Sequence, residues 1–410
     1  MINNKRIIFN EEKLCAGCGV CAAVCPKHCI EIGKDELGFN IALLANPEEC
    51  IYCGKCKRSC PQQNIKEIDI DYQPPIYFGQ TKVLEDLNES ASGGVFSLLA
   101  TFVLNKGGVV WGVEMSSFGQ SEFCCIHTVK DLYRLRGSKY TEVSRTFDFR
   151  RLKMQLDEGI LVMVSGTPCQ ILSIYNFLGK KQYKNLILVD LLCYGIQSPK
   201  MWKLYLDDVN PNCKPIKSIN MRSKDKSWFN YSMRILFEDN SLYVSNRWND
   251  SWLLTYSRSI FNRKSCSDCQ AKKFKRVSDI TIGDYWHLLQ YKDKKINYDK
   301  NKGVSVVILN SESGKVVFDV IKNKFNYKAI KDNKYILQLI KNYSNSANVN
   351  PIRDVFISSV NNLGFSKTVY TLLDYGLIYK LKKIYHIKTD RYVSSVKRKV
   401  KYFFKHLLFV

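Results

Sequence analysis

Cys15-Ala-Gly-Cys-Gly-Val-Cys-Ala-Ala-Val-Cys25-Pro26 is the stretch that decides the fold of this chain, and Cys50-Ile-Tyr-Cys-Gly-Lys-Cys-Lys-Arg-Ser-Cys60-Pro61 repeats its spacing. In each run three cysteines stand at i, i+3 and i+6, and a fourth precedes a proline. Three such cysteines wrap around one [4Fe-4S] cubane, while the cysteine before the proline reaches a second cubane. The spacing therefore predicts two [4Fe-4S] clusters and a function in electron transfer.

The cross-over of the fourth cysteine divides the eight ligands into two sets. The first set is Cys15, Cys18, Cys21 and Cys60, and the second set is Cys50, Cys53, Cys56 and Cys25. Zinc ribbons and a disulfide framework are the alternatives, but zinc sites use two separate CxxC knuckles and disulfides need an export route. Cys29 lies outside the motif, and we expect it to be a small buried hydrophobic residue.

Length and composition indicate a folded intracellular protein. The 410 residues, 45% of them hydrophobic, allow two or three domains. No apolar run approaches the 18 residues of a membrane span, and the N-terminus has no apolar signal segment. We expect a cytoplasmic location, where the reducing environment keeps the 16 cysteines as thiols and ligands.

The chain is strongly basic, with a formal net charge of +24. Each all-cysteine cluster adds about −2, so a large positive excess remains in the loaded protein. Such charge suits an acidic electron-carrier protein such as ferredoxin, an anionic cofactor, or an anionic membrane surface. Nucleic acid is not expected as a partner, because no recognised binding motif accompanies the charge.

Hydrophobic periodicity divides the chain into three predicted domains. Residues 1–70 form a dicluster ferredoxin-like domain, residues 76–345 a mixed α/β domain, and residues 346–410 a basic helical region, so that the overall class is α+β with an α/β core. In the middle domain the predicted elements are a helix at 95–105, strands at 109–114, 160–165 and 186–192, a helix at 170–178, and β-hairpins around 233–244 and 304–309.

Four cysteines of the middle domain stand at suggestive places. Cys169 follows the strand at 160–165, Cys193 ends the strand at 186–192, and Cys266 and Cys269 form a CxxC pair. These four could ligate a third cubane, or they could be a dithiol and buried structural cysteines. No role is assigned to the remaining cysteines, Cys124, Cys125 and Cys213.

Six motifs in succession resemble those of one known family. They are Ser90-Ala-Ser-Gly-Gly94, Arg136-Gly-Ser-Lys-Tyr140, Gly166-Thr-Pro-Cys-Gln170, Asp190 through Pro199, Cys266-x2-Cys269 and Ser278-Asp-Ile-Thr-Ile-Gly-Asp-Tyr-Trp286. The resemblance is to the coenzyme F420 hydrogenase/dehydrogenase beta-subunit family of iron–sulfur flavoproteins, over about residues 1–310. It implies FAD, a third [4Fe-4S] cluster at Cys169, Cys193, Cys266 and Cys269, and electron transfer between clusters and an organic acceptor.

The chain departs from the family in two places. Many relatives have His-Gly after the strand-end cysteine and a proline before Ser-Pro, whereas this chain has Tyr194-Gly195 and Gln197-Ser198-Pro199. If that histidine relays protons in relatives, this chain must use Tyr194, water or another group.

The predicted flavin contacts lie in three segments. Ser90, Ser92, Gly93 and Gly94 precede a helix, whose N-terminus stabilises phosphate, although an ordinary serine N-cap is the simpler interpretation. Arg136, Gly137, Ser138 and Lys139 add two cations and a hydroxyl, and Gly166 with Thr167 completes the set. No GxGxxG follows a strand, so a Rossmann site is not expected.

The candidate catalytic residues are Lys139, Tyr140, Tyr194 and His287. Lys139 or Tyr140 would lie beside the isoalloxazine, and His287 is a proton-donor candidate. We expect Asp279, Asp284 and Trp286 to shape the site, while Asp284 could instead satisfy backbone donors beside the CxxC loop. His127 is more simply explained as a structural histidine.

Two functions are compatible with these motifs. The first is a ferredoxin- or F420-linked oxidoreductase that passes electrons between its clusters and a small-molecule acceptor through FAD. The second is a non-catalytic electron-transfer subunit that connects a partner oxidoreductase. The sequence names neither the acceptor nor the direction of electron flow.

The tail from Leu377 to Val410 is basic and amphipathic. Its apolar residues recur every three or four positions, and lysines and arginines fill the other face. Such a helix either packs on the main domain or lies peripherally on the inner membrane surface, where each Lys or Arg contributes about 1 kcal/mol.

Overall fold

The computed structural model describes residues 15–63, 74–181, 183–272, 276–286, 298–331, 336, 344–346 and 348–373. By spatial proximity the chain forms two compact units, Met1–Arg353 and Asp354–Val410. The predicted domains 1–70 and 76–345 fall together within the first unit, so the boundary between them stays a prediction.

The two cysteine runs fold as loops that end in short helices. Helix α1 (Val20–Ala23) follows the first loop and helix α2 (Lys55–Ser59) follows the second. Between them, strands β1 (Ile30–Lys34) and β2 (Asn40–Leu44) pair as an antiparallel hairpin. Cys29 is 1% exposed beside this hairpin, which confirms the expected buried position.

An eight-stranded mixed sheet forms the centre of the first unit. Its members are β3 (Ile76–Thr81), β4 (Val109–Met115), β5 (Ser121–Ile126), β6 (Val162–Gly166), β7 (Leu186–Leu191), β11 (Ile280–Asp284), β12 (Ser305–Leu309) and β13 (Phe325–Ala329). The strand order is β13-β3-β12-β11-β7-β6-β4-β5. The inner strands β4, β6, β7 and β11 are parallel, and antiparallel strands flank them on both sides.

Helices cover both faces of this sheet, because its inner strands are apolar on both sides. One face packs on α4 (Val95–Asn105) and α9 (Glu312–Ile321), and the other packs on α5 (Phe149–Asp157) and α6 (Pro168–Phe177). Strand β6 illustrates the alternation, since Met163 belongs to the first core while Val162 and Val164 belong to the second.

A second antiparallel sheet follows β7 in the chain. It contains β8 (Ile216–Ser223), β9 (Ser232–Phe237) and β10 (Leu242–Asn246) in the order β10-β9-β8. Three further helices of the first unit are α3 (Leu84–Glu89), α7 (Pro199–Val209) and α8 (Ser251–Ser257). Within the second unit lie α10 (Arg353–Leu363), whose first residue belongs to the first unit, and α11 (Phe365–Leu372).

The predicted helix at 95–105 and the predicted strands are confirmed, with shifts of a few residues at their ends. The hairpin predicted around 233–244 is confirmed as β9 and β10. The hairpin predicted around 304–309 is wrong, because β12 is a single strand between β11 and β3. No helix among the described residues is long and apolar enough to cross a bilayer. The tail at 377–410 lies outside the described residues.

Candidate functional site

The first predicted cysteine set comes together around α1. Burial, followed by the nearby Cys15 and Cys60 thiols, raises the pKa of Cys21 to about 12. Cys18 shows the same pattern, because burial and then Cys21, Cys60 and Cys15 raise its pKa. The cysteine before the second proline therefore lies with the first run, as the cross-over requires.

The second predicted set is assembled in the same crossed manner. The pKa of Cys56 is raised by burial and by its neighbours Cys53, Cys25 and Cys50. Cys25 comes from the first run and Cys60 from the second, so each run contributes one cysteine to the set of the other. The Cys56 thiol also lies near Cys21 and Cys60, so the eight cysteines gather in one region and their division between two clusters stays a prediction.

The loop of the second set is turned toward solvent. Tyr52 is 89% exposed and Ile51 is 58% exposed, although both lie between two cysteines of the set. Tyr52 also has a φ of 52°, in the left-handed region that is unfavourable for a bulky side chain. The matching position in the first run is Gly17, with a φ of 66°. Exposed Lys27, Lys55, Lys57 and Arg58 surround the loop, together with exposed Glu48 and Glu49.

The four cysteines of the middle domain also come together. Burial, then Cys193, Cys169 and Cys269, raises the pKa of Cys266. Parallel pairing of β6 with β7 brings their carboxyl ends side by side, which places Cys169 at the start of α6 next to Cys193. Cys266 and Cys269 come from the 3-10 helix Lys264–Asp268 and the residue after it. The topology therefore joins three segments that are far apart in the sequence.

Each cysteine set suits an iron–sulfur cluster rather than free thiolates. Four thiolates cannot share a buried volume unless a cationic group neutralises them, as the raised pKa values of Cys21 and Cys169, both about 12, indicate. Among the described residues no three His, Cys, Asp or Glu side chains form a cage for a single metal ion. A cubane needs no such cage, because its four cysteine ligands bind different iron atoms.

Arg263 links the first cysteine set to the third. Its guanidinium donates to the Cys15 carbonyl at 2.9 Å and to Glu142, while its own carbonyl accepts from Cys266 N at 3.0 Å. The side chains of Arg263 and Glu142 are 6% and 3% exposed, so the ion pair is buried. Gln62 adds a second link by accepting from Gln270 N at 3.2 Å. The first and third sets therefore face each other across a short, rigid contact.

A cavity of about 730 Å³ adjoins the third set at the carboxyl ends of β6, β7 and β11. Cys193 lines this cavity and also belongs to the third set. Clefts at the carboxyl ends of parallel strands are common ligand sites in α/β sheets. The predicted residues that line it are Ser90, Ser92, Gly94, Arg136, Gly137, Ser138, Lys139, Tyr140, Gly166, Thr167 and Tyr194.

The turn before α4 is held by its neighbours. Ser92 Oγ donates to the Val304 carbonyl at 3.0 Å, Gly93 N donates to Ser305 Oγ at 2.9 Å, and Lys224 Nζ donates to the Ser92 carbonyl at 3.2 Å. A Cβ on Gly93 would lie 2.4 Å from the Gly79 carbonyl oxygen. Close packing therefore explains this glycine, which does not line the cavity. Within the described residues, no side chain caps the N-terminus of α4.

The cationic side chains of the segment 136–140 are held by contacts within the protein. Arg136 pairs with Asp86 and donates to Ser97 Oγ at 3.1 Å. The Lys139 ammonium lies within hydrogen-bonding distance of four backbone carbonyls, of which that of Arg136 is the closest at 2.7 Å. Burial lowers the pKa of Lys139 to about 8. Both cations brace the segment, so their candidate roles toward a ligand stay predictions.

Tyrosine side chains form part of the cavity wall. Tyr140 stacks on Tyr256 with ring centroids 3.9 Å apart, and burial raises the pKa of Tyr140 to about 12. Tyr194 is 46% exposed, and Lys272 Nζ lies 5.5 Å from its ring centroid. Burial, then Asp284 and Cys193, raises the pKa of Tyr194.

The histidine and aspartate candidates have different outcomes. His287 lies outside the described residues, and exposed His127 does not line the cavity. Asp279 does not line it either, because its carboxylate accepts from Leu188 N and Ser311 Oγ. Asp284 and Trp286 do line it. Asp284 pairs with Arg222 and accepts from Trp228 Nε1 at 3.0 Å, so the alternative role beside the CxxC loop is wrong.

Sequence reasoning missed one part of the cavity wall. This wall contains Arg222, Arg247, Phe229 and Tyr231, all from the second sheet and its loops. The only signal in the sequence is a pair of arginines among aromatic residues, which is also typical of an ordinary half-buried sheet. Their convergence depends on how the second sheet meets β11.

Comparisons with known proteins bear on this arrangement. Residues 160–333 match the family described as the C terminus of the coenzyme F420 hydrogenase/dehydrogenase beta subunit, and residues 14–64 match the 4Fe-4S dicluster domain. These two matches agree with the family resemblance drawn from the sequence motifs. The chain is therefore an iron–sulfur protein, with the mixed α/β fold and N-terminal ferredoxin-like region expected from its sequence.

Individual known proteins match parts of the chain. The F subunit of the F(420)H(2) dehydrogenase of Methanosarcina mazei is 25% identical over 199 residues, which are 45% of this chain and 54% of that protein. The match thus spans about half the length of that relative. An uncharacterized ferredoxin of Methanocaldococcus jannaschii is 36% identical over 14% of this chain and 86% of its own length. A chain in the F420-reducing [NiFe] hydrogenase complex from Methanosarcina barkeri aligns with a TM-score of 0.45 and 16% identity, covering 72% of this chain and 96% of that chain.

Proposed function

We propose that this chain is an iron–sulfur flavoprotein oxidoreductase that exchanges electrons between its clusters and an organic acceptor bound in the 730 Å³ cavity. The observation that carries the proposal is the position of Cys193, which belongs to the third cysteine set and lines the cavity. A cluster held there would adjoin any molecule in the cavity, so the two sites are suited to one reaction.

The cavity has features that suit FAD. Its wall includes the N-terminus of α4, which no described side chain caps, so that its N–H groups and helix dipole favour phosphate. Ser138 and Thr167 offer hydroxyls to a polar chain, and Tyr140 with Tyr256 offers aromatic surface. FAD bound there would convert the single electrons of iron–sulfur clusters into the paired electrons that organic acceptors require.

The order of the three cysteine sets supports a linear path for electrons between the protein surface and the cavity. The second set lies at the exposed Tyr52 loop, the first set contacts the third through Arg263, and the third set meets the cavity. An acidic electron-carrier protein such as ferredoxin is the partner that suits the outer end. The +24 formal charge and the local excess of lysine and arginine at that loop favour such a partner.

Tyr194 is the residue best placed to handle a proton at the acceptor. It lines the cavity directly after Cys193, and its hydroxyl, like that of an ordinary tyrosine, carries a proton at neutral pH. It occupies the position at which many relatives have histidine. We assign it the role of proton donor, either directly or through water.

The test uses the anaerobically purified full chain. Bound flavin is released and identified, and the holoprotein is then mixed with reduced acidic ferredoxin while flavin absorbance is followed. We expect FAD to be bound and to be reduced by ferredoxin in the wild type and in Cys213→Ser, whose cysteine is exposed and outside all three sets. In Cys193→Ser we expect retained FAD that ferredoxin no longer reduces but dithionite still does. A wild-type protein with full iron and no flavin would refute the proposal, as would equal reduction in Cys193→Ser.

A second candidate function follows from the relatives, of which one is named as a dehydrogenase subunit. In that case the chain passes electrons to a partner subunit and reduces no acceptor itself. Assaying the purified chain alone with coenzyme F420 and other organic acceptors separates the candidates, because only the first predicts turnover without a partner.

A further inference from the structure

Arg222 is a buried cation with part of its hydrogen-bonding capacity unused. Its side chain is 4% exposed at the end of β8, and its Nη1 donates to Asp284. Within the described part of the chain, its Nε and Nη2 have no hydrogen-bond partner. Buried donors are nearly always paired, so this residue calls for an explanation.

The unused donors form one edge of the guanidinium. Nε and Nη2 point the same way, and together they make the fork that binds both oxygens of a carboxylate. The Arg222 guanidinium carbon lies 4.8 Å from the Trp286 ring centroid and 5.0 Å from that of Tyr231. Aromatic faces therefore fix the plane of the fork, and the residue lines the cavity.

A second arginine strengthens the same wall. The Arg247 guanidinium lies 4.9 Å from the Tyr231 ring centroid and 5.4 Å from that of Phe229, and it also lines the cavity. No described carboxylate pairs with Arg247 in a salt bridge. Asp284, which pairs with Arg222, is thus the one acidic side chain of the described cavity lining, while the wall carries the two arginines.

We propose that this wall is the acceptor subsite and that it takes a planar organic molecule bearing a carboxylate, with Arg222 as its bidentate anchor. The inference deepens the proposed function, because it names the chemical class of molecule that shares the cavity. Phe229, Tyr231 and Trp286 supply faces for the planar part, and Arg247 adds a second cation beside the acidic group. A phosphate could use the same fork, so the test distinguishes the two anions.

The experiment measures binding of three naphthalene probes to the anaerobic holoprotein in excess FAD by equilibrium dialysis. The probes are 2-naphthoate, 2-naphthyl phosphate and neutral 2-naphthalenemethanol. We expect naphthoate to bind at least about tenfold more tightly than the alcohol, since a charge-assisted bidentate contact is worth that much. Tighter binding of the phosphate than of naphthoate would overturn the carboxylate assignment, and equal binding of all three would overturn the subsite.

Variants locate the contact within the cavity. Arg222→Lys keeps a positive charge beside Asp284 but removes the fork, so the preference for naphthoate should fall about tenfold. Arg234→Lys is the matched control, because Arg234 lies on the neighbouring strand, pairs with Asp225 and does not line the cavity. If Arg222→Lys does not fold, Arg247→Lys replaces it with an expected smaller loss. An unchanged preference in the folded variant would refute the role of the arginine.

Iron and flavin contents of the same samples separate this inference from the proposed function. Naphthoate preference without bound FAD would refute the flavoprotein proposal and leave the subsite standing. Full FAD occupancy without any preference would refute the subsite alone. Loss of FAD in Arg222→Lys would show that the arginine holds the flavin, and would overturn its assignment to the acceptor.

Discussion

At the scale of single residues, the protonation of the buried cysteine thiols is the property that links folding to cluster binding. Burial raises the pKa of Cys21 and of Cys169 to about 12, and neighbouring thiols raise both further. Such residues stay protonated at neutral pH unless a cluster binds them, so cluster binding and local folding are coupled. Because of this coupling, the iron content measures how many of the cysteine sets hold a cluster.

We predict about twelve iron atoms per chain after anaerobic purification, from three cubanes with four cysteines each. Cys169→Ser should lower this to about eight and spare the ferredoxin-like region, because the third set shares no ligand with the other two. Iron analysis measures the number of iron atoms, and electron paramagnetic resonance of the reduced protein shows whether the clusters of the ferredoxin-like region remain. Cys213→Ser should keep the wild-type value, and eight irons in the wild type would remove the third cluster.

Some residues were predictable from the sequence alone and others were not. The eight ferredoxin-type cysteines follow from spacing within each run, since loop geometry is local. The third set needed the family resemblance, because its members become neighbours only through the parallel pairing of β6 and β7. Arg222 could not be predicted, because its unused edge depends on Asp284 accepting from only one of its nitrogens.

At the scale of elements, the turn before α4 shows how packing and binding share the same residues. Gly94 is the residue before α4 and has a φ of 84°, and a Cβ there would lie 2.5 Å from Thr81 Cγ2. Its glycine is thus required by backbone conformation and by β3, whatever the cavity holds. The turn is rigid before any ligand arrives, which lowers the entropic cost of binding.

Gly94→Ala should destabilise the protein more than Gly107→Ala. Both glycines have positive φ values, 84° and 73°, which cost alanine about 1–2 kcal/mol each. Only Gly94 adds a steric conflict, because Gly107 has open space around its Cβ position. Thermal unfolding of the two holoproteins gives the comparison, and equal melting temperatures would contradict the close contact with Thr81.

Element order was predictable where each element is apolar and bounded by turn residues. The helix at 95–105 and the strands β4, β6 and β7 are of this kind. The place of β12 between β11 and β3 was not predictable, because antiparallel partners distant in sequence leave no periodic signal. The second sheet was seen as a hairpin, but its third strand β8 was missed.

At the scale of the whole molecule, the described fold does not explain the role of the large positive charge. The +24 formal charge includes the basic tail at 377–410, which lies outside the described residues. The tail stays a prediction with two forms, a helix that packs on the protein or one that lies on an anionic membrane. Either form is compatible with a partner at the Tyr52 loop.

Flotation with liposomes tests the membrane form. Full-length protein and a chain ending at Asp374 are compared on anionic and neutral vesicles at low and high salt. If the tail binds membranes, we expect salt-sensitive flotation of the full chain on anionic vesicles and its loss on truncation, since lysine and arginine contribute about 1 kcal/mol each near such a surface. Equal flotation of the two chains would exclude the tail as an anchor.

The exposed loop around Tyr52 also determines which cluster is oxidised first when the protein is exposed to air. Tyr52 and Ile51 stand in solvent directly between ligands of the second cysteine set, whereas Cys15, Cys21 and Cys60 of the first set are buried. Dioxygen therefore meets the second cluster before it meets the first. Damage should begin at the outer end and move inward, so a partly oxidised sample would lose its contact with electron carriers while the inner part of the molecule is still intact.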